Sequence, residues 1–108
     1  MVKKILVLGA TGSIGTQTLD VVRRFPDRLQ VVGMTTHRHN QELAKFGVEF
    51  GCGKLLITGR FPTAMRTELL REFIAESGAD LAVNGVAGAA GLMPSVFALE
   101  SGMDLALA

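Results

Sequence analysis

The chain predicts an α/β fold, a Rossmann-like open parallel sheet with helices on both faces. Three observations carry this. The apolar run Ile5–Leu8 has the composition of a parallel strand buried on both sides. It leads straight into Gly9, Gly12 and Gly15, placed at every third residue, and a helix-like pattern follows. Beyond that, strand-like and helix-like segments alternate along the chain. That is the pattern of strands joined by right-handed helical crossovers.

Ile5–Leu8 is the first predicted strand. A helix is expected over Ser13–Arg24, with Ile14, Leu19, Val21 and Val22 as its apolar face, and Pro26-Asp27 ends it. Leu29–Met34 reads as the second strand. A second helix is expected over Asn40–Phe50, with Asn40 as its N-cap and Gly51 as its stop. Lys54–Thr58 reads as the third strand. The third helix, Thr63–Ser77, turns Leu69, Leu70, Phe73 and Ile74 inward, and Gly78 lies past its end. Asp80–Asn84 is the fourth strand, Leu92–Ser101 the fourth helix with Gly102 behind it, and Asp104–Ala108 a fifth strand that is cut short. There are no repeats at solenoid spacing, no low-complexity tract and no linker.

Composition narrows the function classes. Thirteen glycines suit many tight strand-to-helix turns, and 48% hydrophobic residues allow a true core in 108 residues. A chain of this length is one domain or a piece of one. Eleven basic residues against ten acidic ones leave a net charge of +1 with no basic stripe, which argues against nucleic acid as a partner. Cys52 is alone and cannot form an internal disulfide, which suits a reducing cytoplasm and a packing role. No secretory signal is visible, and no apolar run approaches membrane-spanning length.

The turn from Gly9 to Gly15 is the first candidate site. Glycines let the backbone turn tightly and come close to a ligand, and a helix N-terminus presents free N–H groups and partial positive charge to an anion. The spacing matches the usual dinucleotide fingerprint only loosely, and a glycine turn can bind nothing. Its place in a strand-turn-helix-strand unit, with the Thr11 and Ser13 hydroxyls beside it, favours phosphate or dinucleotide binding. Gly12 is expected to tolerate no side chain, because a Cβ would intrude on the ligand or force an unfavourable backbone angle.

The end of the second strand bears on cofactor choice. A site selective for NAD usually carries Asp or Glu there, to bind the ribose 2′-hydroxyl. Here the residues are Thr35-Thr36-His37-Arg38-His39-Asn40, with no acid before Glu42. Hydroxyls, Arg and His would attract a 2′-phosphate, so NADP(H) is favoured over a merely solvated basic loop. The His37/His39 pair lacks Cys or carboxylate partners at metal-site spacing. After the fourth strand, Gly85 to Gly91 is rich in small residues, which allow a ligand to lie close to the backbone or a helix to pack tightly.

The run Gly9-Ala10-Thr11-Gly12-Ser13-Ile14-Gly15-Thr16-Gln17-Thr18-Leu19-Asp20-Val21 resembles the opening of the 1-deoxy-D-xylulose 5-phosphate reductoisomerase family. Gly88-Ala89-Ala90-Gly91-Leu92-Met93-Pro94 is similar to a second signature of that family. The resemblance implies that Thr11, Gly12, Ser13 and Ile14 hold the diphosphate of NADPH, and Gly9 joins them as a cofactor-binding residue of the glycine turn. It puts His37, Arg38, His39 and Asn40 at the adenosine 2′-phosphate, and Val86, Ala87 and Gly88 on the nicotinamide side. It further implies a sugar-phosphate substrate, Mg²⁺ or Mn²⁺, no membrane partner, and a homodimer at full length. The family reaction rearranges the sugar phosphate and delivers a hydride from NADPH, yielding 2-C-methyl-D-erythritol 4-phosphate for isoprenoid precursors.

Two departures from the family pattern stand out. The chain stops at Leu107-Ala108, before the segments that carry the family's metal ligands and substrate-phosphate grip. Residues 1–108 are therefore expected to be an incomplete NADPH-binding domain, inactive alone, without the catalytic and C-terminal domains. The stretch from Ile57 to Leu81 is also short, where the family usually has an extra strand and helix. Two other classes stay open. One is another NADP-dependent oxidoreductase or epimerase, although the short-chain type needs a Tyr-x-x-x-Lys pair and this chain has no Tyr. The other is a non-enzymatic dinucleotide-sensing module.

Overall fold

The computed structural model describes residues 1–107. Among them, five parallel strands form one sheet. They are β1 (Lys3–Leu8), β2 (Leu29–Thr36), β3 (Leu55–Ile57), β4 (Leu81–Asn84) and β5 (Asp104–Leu107). The helices between them are α1 (Ser13–Arg24), α2 (Asn40–Glu49), α3 (Thr63–Glu76) and α4 (Leu92–Glu100). Single 3₁₀ turns precede α3 (Thr58–Arg60) and α4 (Gly88–Gly91). Ala108, the last residue expected in the fifth strand, lies outside the described residues.

The strand order is β3-β2-β1-β4-β5. The chain moves outward from β1 to β3, then crosses back to the other side of β1 and moves outward again. Crossovers of one hand must then put their helices on opposite faces of the sheet. The two cores bear this out. On one face Ile5, Val7, Val31 and Met34 pack with Leu19 and Val22 of α1 and Leu43 of α2. On the other, Leu6, Leu8 and Ala82 pack with Ile74 of α3 and Phe97 and Ala98 of α4. The alternation within β1 is the two-residue period of a strand buried on both faces.

Several expectations shift when packing is seen. β2 runs two residues further than predicted, because Thr35 and Thr36 stay in the strand and are buried. Their hydroxyls are hydrogen-bonded, which removes the cost of burying them. Val21 is about half exposed rather than part of the inner face of α1. The buried stripe is Gly15, Leu19 and Val22, and Val21 points well away from it. Asn40 begins α2 as its first helical residue, and His39 takes the cap position without a side-chain cap bond. The turn closes one residue early, with Asn40 N–H donating to the Arg38 carbonyl at 2.9 Å. Gly51, Gly78 and Gly102 end their helices as read, with φ of +61°, +68° and +80°.

Cys52 is buried, and its thiol donates to the Lys54 carbonyl at 3.6 Å. Burial pushes the thiol pKa up, which keeps it in its unreactive form. α1 and α2 are tied at the surface by Arg23, whose guanidinium grips both carboxylate oxygens of Glu49 and also bonds Asp20 at 2.5 Å.

Candidate functional site

The strand order reverses direction between β1 and β4, and their carboxyl ends open a crevice there. Open α/β sheets bind ligands at such a switch point. The crevice is a cleft of about 670 Å³. Its floor is the turn after β1 and the turn after β4. One wall comes from the ends of β2 and β3, the other from α3 and α4.

The turn after β1 is built by backbone geometry. Gly9 has φ of +75°, a conformation that side-chain-bearing residues rarely adopt. Gly15 sits on the inner side of α1, where a Cβ would lie 2.2 Å from the Gly9 carbonyl oxygen. Neither position can accept a side chain without rearrangement. Gly12 differs. It caps α1 with φ of −82°, and a Cβ there would meet only the Gly9 carbonyl oxygen at 3.5 Å. The expected backbone strain at Gly12 is therefore absent, and any intolerance must come from a ligand. The first N–H groups of α1 have no partner within the helix and face this turn.

The turn is held to β2 by two adjacent threonines. Gly9 N–H donates to the Thr35 hydroxyl at 3.0 Å, and Ala10 N–H to the Thr35 carbonyl at 2.8 Å. The Thr11 and Thr36 hydroxyls are 2.7 Å apart. Thr11 thus has a protein partner, while Ser13 is exposed at the mouth of the turn. Ile14 is half-buried beneath the turn after β4, where a Cβ on Gly85 would approach its Cβ to 3.2 Å.

The turn after β4 is organised by Asn84. Its side-chain amide is buried, donates to the Gly91 carbonyl at 2.7 Å and the Ser95 hydroxyl at 2.8 Å, and accepts from Val86 N–H at 3.0 Å. Gly91 packs so tightly that a Cβ would lie 2.3 Å from the Val86 carbonyl oxygen. These bonds set the start of α4 against the cleft.

The expected site residues separate into three groups. Gly9, Thr11, Gly12, His37, His39 and Val86 line the cleft. Arg38 and Asn40, with His39 again, line a neighbouring concavity of about 340 Å³ together with Gln41, Glu42 and Lys45. Ser13, Ile14, Ala87 and Gly88 border the cleft without lining it, whereas Ala89 and Ala90 do line it. His37 Nδ1 lies 3.0 Å from the Thr58 hydroxyl, and Gly59 N–H donates to the His37 carbonyl at 2.8 Å, so the loops after β2 and β3 are tied to each other.

Sequence reasoning missed the α3 wall. Thr63, Arg66, Thr67 and Leu70 all line the cleft. Thr63, Arg66 and Thr67, three and four residues apart, mark one polar helix face, and that spacing was the available signal. Leu70, expected to face inward, packs against the sheet core and also borders the cleft. Among the described residues, no three His, Cys, Asp or Glu side chains converge as a metal site. No helix among them is long and apolar enough to cross a membrane.

The fold and the cleft define a dinucleotide-binding α/β domain with a glycine turn at its switch point. Comparison with known proteins makes this specific. The family model for 1-deoxy-D-xylulose 5-phosphate reductoisomerase matches residues 5–108, so the chain belongs to that family. The 1-deoxy-D-xylulose 5-phosphate reductoisomerase of Treponema denticola is 39% identical over 110 residues, a match that takes in 98% of this chain and 29% of that protein. Among solved structures, the reductoisomerase of Zymomonas mobilis in complex with NADPH superposes with a TM-score of 0.84 at 30% identity, over 100% of this chain and 32% of the other. A reductoisomerase in complex with NADPH, fosmidomycin and magnesium gives 0.83 at 26% identity, over 96% of this chain and 29% of the other. The chain thus spans about 30% of the length of the relatives it matches. The Treponema denticola match of 110 residues leaves no room for an extra strand and helix, so the short connection from Ile57 to Leu81 is not peculiar to this chain.

Proposed function

We propose that this chain is the NADPH-binding portion of a reductoisomerase that converts 1-deoxy-D-xylulose 5-phosphate to 2-C-methyl-D-erythritol 4-phosphate. The observation that carries the reading is the turn after β1. It combines Gly9 at positive φ, the open N-terminus of α1 and the Thr11–Thr36 bond at the switch point of the sheet.

In this reading the diphosphate lies on Gly9, Thr11, Gly12, Ser13 and Ile14, where N–H groups and the helix dipole receive its charge. The adenosine end lies toward His37, Arg38, His39 and Asn40. The nicotinamide end lies toward Val86, Ala87 and Gly88, beside the apolar wall formed by Met93, Pro94 and Phe97. When bound, the cofactor supplies a hydride to a carbonyl carbon. The chain's own part is to orient the cofactor and keep water from its apolar end. Mg²⁺ or Mn²⁺ does not fit the described residues, which offer no converging ligand set, so no step is assigned to a metal within this chain. We assign the metal ligands and the sugar-phosphate grip to the remainder of a full-length homodimeric protein. A cytoplasmic setting accords with the single buried thiol of Cys52.

Titration of the chain with NADPH, followed by nicotinamide fluorescence, tests the reading. Saturable binding that is at least about tenfold tighter for NADPH than for NADH is expected, the ratio one charge-assisted contact supplies. Absence of binding to either cofactor overturns it.

A further inference from the structure

We propose that Arg66 is a specificity-determining residue for the cofactor's 2′-phosphate, reaching it from α3, across the cleft from the loop after β2. The proposal rests on the reading of the cleft as an NADPH site. Among the described residues that line the cleft, Arg66 is the only Lys or Arg. Its position is fixed by the fold. Its Nε donates to the Phe61 carbonyl at 2.8 Å, and Phe61 N–H donates in turn to the Thr58 carbonyl at 3.2 Å. The Thr58 hydroxyl lies 3.0 Å from His37 Nδ1. This chain of bonds ties Arg66 to the carboxyl end of β2. In this fold class that end faces the adenosine ribose, and a nearby Arg accommodates the 2′-phosphate.

The chemistry at Arg66 favours an anion. With Nε engaged, the terminal guanidinium nitrogens form no ion pair with a carboxylate among the described residues. Thr63 and Thr67, on the same face of α3, add hydroxyl donors to the same wall. A planar guanidinium with two free nitrogens can bind a phosphate in bidentate fashion. Arg38 is placed less favourably. It lines the neighbouring concavity beside Glu42, whose charge opposes a phosphate, whereas among the described residues no Asp or Glu lines the cleft. Among the described residues, the Arg that lines the cleft is thus carried by the third helix, whereas the loop after the second strand places Arg38 in the neighbouring concavity.

Affinities of NADPH and NADH for the parent chain, Arg66→Gln and Arg66→Lys test this. Arg66→Gln should weaken NADPH by about ten- to a hundredfold and NADH by less than about threefold, as loss of a charge-assisted bond predicts. Arg66→Lys should keep only part of the preference, because the charge remains while the bidentate geometry is lost. Competition by adenosine 2′,5′-bisphosphate should weaken in Arg66→Gln in step with NADPH. A parent that prefers NADPH, with an Arg66→Gln variant of unchanged preference and unchanged far-UV circular dichroism, overturns this proposal alone. Equal weakening of both cofactors in Arg66→Gln and Arg66→Lys also overturns it, since a merely structural Arg66 would behave that way. A parent that binds neither cofactor overturns the NADPH reading and this proposal together.

Discussion

The hydroxyl of Thr11, in the glycine turn, lies 2.7 Å from that of Thr36, the last residue of β2. Thr36 is buried and Thr11 is only half-buried. The bond fastens the end of β2 to the glycine turn that follows the neighbouring strand β1. The neighbouring bond from Gly9 N–H to the Thr35 hydroxyl does the same one residue earlier. The shape of the turn thus depends on β2 as well as on its own glycines.

This pairing predicts an asymmetry. Thr11→Val leaves the buried Thr36 hydroxyl without its partner and should cost roughly 1–3 kcal/mol of stability. Thr36→Val leaves the Thr11 hydroxyl, which water can reach, and should cost less. The double variant should cost less than the sum of the two, because no orphaned hydroxyl remains. Urea unfolding of the four proteins measures the cycle. Strictly additive costs would show that the two hydroxyls do not depend on each other.

The three glycines of the turn should not behave alike. Gly15→Ala should destabilise the fold, because its Cβ would lie 2.2 Å from the Gly9 carbonyl oxygen. Gly9→Ala should also destabilise it, because Gly9 has φ of +75°. Gly12→Val should keep the parent's far-UV circular dichroism while abolishing NADPH binding, since only a bound diphosphate would occupy the space its side chain takes. Retained NADPH binding in Gly12→Val would remove the diphosphate from this turn. A collapsed fold would make Gly12 structural despite its relaxed backbone.

The sheet was legible because its signals are local. Ile5–Leu8 declares a strand buried on both faces, and Gly51, Gly78 and Gly102 mark helix ends where only a left-handed residue continues the chain. The three-residue spacing of Gly9, Gly12 and Gly15 marked the turn after β1 that floors the cleft. What stayed hidden depends on tertiary partners. Thr35 and Thr36 read as a loop until their hydroxyls are seen to bond the turn after β1. The spacing of Thr63, Arg66 and Thr67 marks a polar face, but nothing in the sequence signals that this face of α3 borders the cleft. Nor does the sequence reveal that Asn84, ending a buried strand, holds three polar partners that shape the next turn.

Arg38 gives a prediction that complements the one for Arg66. The loop after β2 carries no acid before Glu42, and Arg38 is exposed there. Arg38→Ala should weaken NADPH more than NADH, by on the order of 1–3 kcal/mol if it holds a charge-assisted bond to the 2′-phosphate. Fluorescence titration with both cofactors measures the difference. Equal losses would exclude Arg38 as a reader of that phosphate.

The Arg23–Glu49 bridge predicts a pH dependence of stability. The guanidinium hydrogen bond holds the Glu49 carboxyl below the usual carboxylate range. A depressed folded-state pKa stabilises the fold above the ordinary Glu pKa, and that contribution is lost as pH falls through the lowered value. Glu49→Gln should therefore lower the urea midpoint at pH 7, and the gap to the parent should close in strongly acidic solution. The effect is expected to be small, because both side chains are well exposed and solvent screens the pair. A gap that widens on acidification would contradict the bridge.

The last prediction concerns turnover. Hard cations need several converging oxygens, and Mg²⁺ typically takes one or two carboxylates along with substrate and water. In this chain Asp20, Glu42, Glu68 and Glu72 are exposed on helix faces, and no three potential ligands converge among the described residues. Among the described residues, the only Arg or Lys lining the cleft is Arg66, which the adenosine end of the cofactor would engage. Residues 1–108 should therefore not turn over 1-deoxy-D-xylulose 5-phosphate, with or without Mg²⁺ or Mn²⁺, even where they bind NADPH. A full-length protein of the size of the matched relatives, carrying this chain as its first part, should oxidise NADPH when substrate and metal are supplied. Loss of absorbance at the NADPH band measures both. Metal-dependent oxidation by the 108 residues alone would overturn the division of labour between this domain and the rest of the protein. Inactivity of the full-length protein with NADPH, substrate and metal all present would sink the proposed reaction.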